Sequence, residues 1–207
     1  MRSRRLLSVL FVAPVLALSA CGGSDESAGI KPIESAEPSA SATPSATPTA
    51  PAETPLPTTT AEAAKLAVSV LGSSVADTAD EKAAVAAWMT YWDAASKTFS
   101  DLEPAAGLDS ARGEPLANVL NYLNELKAKN HRSVGWTRDH VLTIEVNGGA
   151  ALIRDCAENF SFEVDSAGKP VQDVSPFFDI SGSLTKDGDR WIVTVAKTTK
   201  VQEDCRQ

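Results

Sequence analysis

Between residues 78 and 99 apolar side chains recur at steps of three and four: Val85, Trp88, Met89, Trp92, Ala95 and Phe99. That period places them on one face of a helix. Thr78 and Glu81 have the spacing of a capping box at its start, and Pro104 and Gly107 mark its end. A second stripe, Leu116, Val119, Leu120, Leu123 and Leu126, follows Glu114-Pro115, where proline suits the first helical turn. Lys127 and Lys129 sit favourably at its C-terminal end. After Asn130 the period changes to two.

In "HVLTIEV", His140, Leu142, Ile144 and Val146 alternate with Val141, Thr143 and Glu145. Asn147-Gly148 is a hairpin signal, and a second strand is expected through "ALIRDCAENFSFEV", with Phe160, Phe162 and Val164 on one face. A third strand carries Val174, Phe178, Ile180 and Leu184, with Pro176 suggesting a bulge or an edge. Asp187-Gly188 turns the chain into a last strand bearing Trp191, Val193 and Val195. Two helices followed by a four-strand antiparallel meander is an α+β arrangement, with the helices covering one face of the sheet. Residues 61 to 75 read equally as a short helix or an extended lead-in.

Composition changes the picture at the N-terminus. Arg2, Arg4 and Arg5 precede "LLSVLFVAPVLAL", a charged and then apolar segment too short for a comfortable membrane span. Leu18-Ser19-Ala20-Cys21 resembles the bacterial lipobox, in which the cysteine is lipidated and becomes the first residue after cleavage. This gives residues 1–20 as signal peptide and 21–75 as the lipidated Cys21 with a linker rich in Pro, Ser, Thr and Ala. Residues 76–207 are the folded domain. The linker composition buries too little to offset its ordering entropy. The expected location is the extracytoplasmic face of the cell membrane, held by the lipid.

The 207-residue chain has a formal net charge of -8, and a nucleic-acid partner would need clustered Lys and Arg. It holds three cysteines. With Cys21 lipidated, Cys156 and Cys205 remain as a single pair in an oxidising compartment. A simple meander puts one strand between them, at roughly 10 Å, beyond disulfide reach. The pair therefore requires a tail that folds back or a strongly curved sheet. No metal ligand set and no cofactor motif is evident, since His131 and His140 stand in no ligand spacing with each other or with the cysteines.

The run "DC.E.FSFEVDSAGKPV", with Gly135 ahead of it and "DGDRWIVT" and Cys205 after it, carries a wider resemblance. It is similar to secreted actinobacterial proteins of the nuclear-transport-factor-2-like (SnoaL-like, cystatin-like) superfamily. The likeness covers residues 79 to 205, and both cysteines belong to it. It implies a curved sheet wrapped around a long helix and a cone-shaped cavity. Enzymes of that superfamily, such as ketosteroid isomerase and scytalone dehydratase, place an Asp or His acid–base group inside the cone. Non-enzymes share the same fold.

Which residues of this chain would enter such a cone? If the strand phase runs back unbroken, Trp136, Arg138 and His140 share a face with Leu142 and Ile144, and His140 becomes a candidate base. Tyr91 and Trp92 on the first helix join Trp136 and Arg138 as ligand-binding candidates. The blander expectation is that a one-residue bulge turns Arg138 and His140 outward. Trp88, Trp92, Trp136 and Trp191 then read as core. Asp155 and Asp179 alternate against Phe160 and Ile180 and are expected in solvent. Two functions follow: a non-catalytic module binding a small apolar ligand or another envelope protein, or a small isomerase- or dehydratase-like enzyme. A buried ionisable group with a donor beside it inside the cone favours the enzyme; a filled or dry cone favours the module.

Overall fold

The computed structural model describes residues 66–171 and 174–207. The signal segment, Cys21 and the linker up to residue 65 lie outside the described residues. Thr78 caps helix α1, Ala79–Asp101: its hydroxyl accepts from the Glu81 backbone N–H, and the Glu81 carboxylate accepts from the N–H of Thr78. This is the reciprocal arrangement the spacing predicts. The helix ends at Leu102 in a left-handed conformation, two residues before Pro104. Helix α2, Glu114–Lys129, has Pro115 in its first turn and closes on Asn130.

Six strands form a mixed, open sheet. They are β1 (Ala67–Ser74), β2 (Arg132–Asn147), β3 (Ala150–Asn159), β4 (Phe162–Val164), β5 (Phe177–Asp187) and β6 (Arg190–Val201). The order is β1-β2-β3-β5-β6, with β4 paired to the start of β2. The antiparallel run from β2 through β6 is the expected meander. Two features depart from expectation. Residues Ala67–Ser74 are no part of a linker: they form a parallel edge strand on β2, so the fold begins before residue 76. "ALIRDCAENFSFEV" is also not one strand, because the chain breaks at Phe160-Ser161 and β4 turns to pair with Arg132–Val134.

That break needs Gly135. It has φ +105, and a Cβ there would overlap the carbonyl oxygen of Phe160 and stand 2.7 Å from Ser161 Cα. Only glycine lets β2 pass under the kink. Gly182 plays the matching part under α1. A Cβ on it would overlap the ring of Trp88, so its absence is the notch into which the fully buried indole fits.

A register shift between Val141 and Thr143 leaves Leu142 as a bulge in β2. Ahead of the bulge Thr137, Asp139 and Val141 face α1, while Trp136, Arg138 and His140 face away. Beyond it Ile144 and Val146 return to the α1 side and pack on the core. On β3 the inward set is Ala151, Ile153, Asp155, Ala157 and Asn159, all buried. Phe160 lies outside this set, 45% exposed and stacked on Trp136. The apolar phase that Phe160 sets is therefore the outer one, and it puts Asp155 on the wrong side.

The outer face has its own cover. The C-terminal tail folds back across β5, and Cys205 is bonded to Cys156 with Cα atoms 5.5 Å apart. β5 does stand between β3 and β6, and the tail spans it, with Cys205 Sγ 3.4 Å from the Phe178 carbonyl oxygen. Glu158 anchors the same patch through ion pairs to Arg138 and Arg206.

Candidate functional site

A cavity of about 430 Å³ lies between α1 and the inner face of the sheet. Its residues come from regular elements whose periods aim them. Helix α1 contributes Trp92, Ala95, Ser96 and Phe99, and β2 contributes Ser133, Val134, Gly135, Thr137 and Asp139. β1 adds Ala67 and Ser69, β3 adds Ala157 and Asn159, and β5 adds Phe178 and Ile180. Apolar side chains alternate with polar ones along the walls, and two groups of buried acids stand out.

The first is a pair of buried acids. Asp139 is 1% exposed and Asp155 is 0% exposed, and only Asp139 lines the cavity. Trp88 Nε1 donates to Asp155 Oδ2 at 2.9 Å, and Thr137 Oγ1 donates to Asp139 Oδ2 at 3.1 Å. Burial, together with the neighbouring Asp155 charge, holds the Asp139 carboxyl well above the ordinary carboxylate range. Burial raises Asp155 as well, but hydrogen bonds from Trp88 and Asp139 oppose it. Two acids in contact share one proton. Burial favours that proton on Asp139, the more strongly raised of the two, and Asp155 Oδ1 has no hydrogen-bond partner among the described residues.

The second polar group is Glu163, 6% exposed, which also lines the cavity. Tyr122 O–H donates to its Oε2 at 3.3 Å, and His131 Nδ1 meets its Oε1. Burial beside this carboxylate pushes the Tyr122 phenol up to about 12. The sequence brings up His131 only as a metal ligand without partners, and neither Tyr122 nor Glu163, which sits inside an apparently continuous apolar strand, stands out there.

Of the sequence candidates, the structure brings only Trp92 to the cavity. Tyr91 is buried in the core, and its hydroxyl donates to the Pro115 carbonyl at 3.4 Å. Trp136 and Arg138 lie on the outer face, with Arg138 over the Trp136 ring at 5.1 Å. His140 is there too, its Nδ1 2.8 Å from Ser73 Oγ and its Nε2 3.6 Å from Glu158. The Leu142 bulge is the reason for all three. Asp179 lies on the outer face as expected, paired with Arg154.

No protein-family profile matches the chain, and neither does any curated protein. Among solved structures, the intermembrane-space region of the chloroplast protein ARC6 matches with TM-score 0.44 and 14% identity. That match covers 61% of this chain and 98% of the other. A de novo designed protein with a curved β-sheet gives TM-score 0.27 and 10% identity over 42% of this chain and 64% of its own. An NTF2-like protein of unknown function from Cytophaga hutchinsonii gives 0.20 and 14%, over 41% and 63% respectively. Likenesses this distant assign no role.

The shared proton has a measurable consequence. The native state holds a proton on Asp139 that an unfolded chain releases above about pH 4. Its stabilising contribution is complete below that pH and is lost as pH rises toward the elevated native value, by up to about 1.4 kcal/mol per pH unit. An asparagine side chain in its place would offer a permanent N–H to Asp155 and a carbonyl to Thr137, copying the protonated acid. Urea denaturation of Asp139→Asn from pH 5 to 8 should therefore show the variant gaining on the wild type with rising pH. Parallel stability curves would remove the shared proton.

Proposed function

We propose that the chain is a lipid-anchored extracytoplasmic protein whose domain, of the NTF2-like kind, binds a small and largely apolar molecule between α1 and the sheet. The observation that carries this reading is the cavity itself: about 430 Å³, walled by Trp92, Phe99, Phe178 and Ile180. That is within the size range of small-molecule sites, which combine apolar walls with a few placed polar groups. The lipobox-like Leu18–Cys21 supports the anchor.

One observation favours a second reading, a proton-transfer enzyme. Asp139 is a buried acid on the cavity wall with a donor beside it, the feature expected of an isomerase- or dehydratase-like site. Its capacity is directed inward, however. Its Oδ2 already accepts from Thr137, and the Asp155 carboxyl beside it lies behind the cavity wall. Binding therefore stands first.

A thermal-shift screen of envelope lipids and apolar metabolites tests it, since a ligand at a hundred times its Kd stabilises by about 2.7 kcal/mol. Compounds should raise the Tm of the wild type and not that of Ala95→Phe, whose ring occupies the cavity. Equal shifts in a folded Ala95→Phe would place binding elsewhere. Turnover of any hit that disappears in Asp139→Asn while binding persists would establish the enzyme instead.

A further inference from the structure

We infer that the ligand of this cavity carries an O–H or N–H donor, seated against the Ser69–Ser96 end of a hydroxyl relay. This rests on the binding reading above and adds the chemistry of the occupant. Ser96 Oγ lies 3.3 Å from Ser69 Oγ, which lies 2.7 Å from Thr137 Oγ1, which lies 3.1 Å from Asp139 Oδ2. All four side chains line the cavity. They come from α1, β1 and β2, so the relay exists only in the assembled fold.

Each hydroxyl owns a single proton, and that fixes the direction of every bond. Thr137 Oγ1 donates to Asp139 Oδ2, so its one proton is used there. Having spent its proton, Thr137 can only accept from Ser69. Ser69, spent in turn, accepts from Ser96. The protons all point toward Asp139, and the Ser69–Ser96 end shows lone pairs. A ligand carbonyl placed there would set acceptor against acceptor. A ligand hydroxyl or amine would complete the relay.

Three other hydroxyls of the wall are used in the same way. Tyr122 donates to Glu163, Ser161 to Asn159, and Ser175 to the Val201 carbonyl, so these hydroxyls are also spent within the protein. The indole N–H of Trp92 has no partner and offers one donor, and the hydroxyls of Ser133 and Thr198 and the exposed ammonium groups of Lys129 and Lys200 offer others. Those groups meet a carbonyl and an alcohol oxygen alike, whereas the relay discriminates between them.

The probes are 1-(naphthalen-2-yl)ethanol and its ketone, 2-acetylnaphthalene, which share a skeleton and differ in the donor. Equilibrium dialysis against the full chain in detergent measures both. The alcohol-to-ketone ratio is compared between wild type and variants, so partition into micelles cancels. The wild type should prefer the alcohol by about tenfold, the usual scale for leaving one buried polar group unpaired. Thr137→Val frees the Ser69 proton to meet the ketone and should bring the ratio to within about twofold. Ser69→Ala frees the Ser96 proton and should do the same without a change in β2, while Thr137→Ser should keep the preference. A wild-type ratio near one, or a ratio unchanged in both Thr137→Val and Ser69→Ala, overturns the inference and leaves the binding reading intact. Failure of both probes to bind overturns the binding reading itself.

Discussion

Replacing Gly135 by alanine is expected to destabilise the domain by about 4 kcal/mol, while the same change at Gly149 costs under about 1 kcal/mol. Two penalties add at Gly135. Its φ of +105 lies where an L side chain is strained, and the new Cβ would overlap the Phe160 carbonyl oxygen. That oxygen cannot move aside as a flexible side chain would. It belongs to the kink that ends β3, and the Phe160 N–H is itself bonded to the Trp136 carbonyl at 3.0 Å. Relief requires opening the β2–β4 junction, which forms one wall of the cavity through Ser133, Ser161 and Phe162. At Gly149 the nearest atom to an added Cβ is Lys186 Cβ at 3.7 Å, an ordinary contact. Urea midpoints with unchanged slopes measure both changes. A Gly135→Ala protein within about 1 kcal/mol of wild type would show that the kink is soft.

Cys205→Ser should cost a similar amount, about 4 kcal/mol, because the Cys156–Cys205 bond closes a sequence separation of 49 residues. Chain entropy is one part of this loss. The freed tail also gives up the Arg206 pair with Glu158 and uncovers Cys156, which is fully buried. Reduction should bring the wild type down to the level of the variant and leave the variant unchanged. Intact mass should show two fewer hydrogens in the native protein than in the reduced one. Two alkylatable thiols on the domain isolated without reductant would contradict the bond, and equal stability of oxidised and reduced wild type would show it idle.

The helices and the hairpins were legible because each carries its signal locally. Thr78 with Glu81, Pro115, Asn147-Gly148 and Asp187-Gly188 all stand where the sequence puts them. β1 was not, since "AVSVLGSS" is a short parallel edge whose partner lies far along the chain and whose pairing leaves no turn residue beside it. The cavity acids were missed for a different physical reason. Alternation marks the inner face only if the other face is wet, and here the tail buries Cys156 while Phe160 and Arg138 cover Trp136. With apolar residues on both faces, the phase of β3 was ambiguous, and Phe160 tipped it outward. On β2 the Leu142 bulge broke the phase between Ile144 and Asp139. The sequence suggests that such a bulge is possible, but nothing in it places one.

Parallel pairing of β1 also bears on the order in which the site is assembled. Ser69 meets Thr137 across 68 residues, whereas β2 to β3 and β5 to β6 close through two-residue turns. Loop-closure entropy makes the hairpins early and β1 late, after α1 has a sheet to lie on. The strand recruited last is the one that brings Ser69. Until it docks, Thr137 lacks its donor and the relay has no cavity end. The cavity wall is therefore finished by the least locally anchored piece of the fold, and a molecule bound there would help to hold that strand in place.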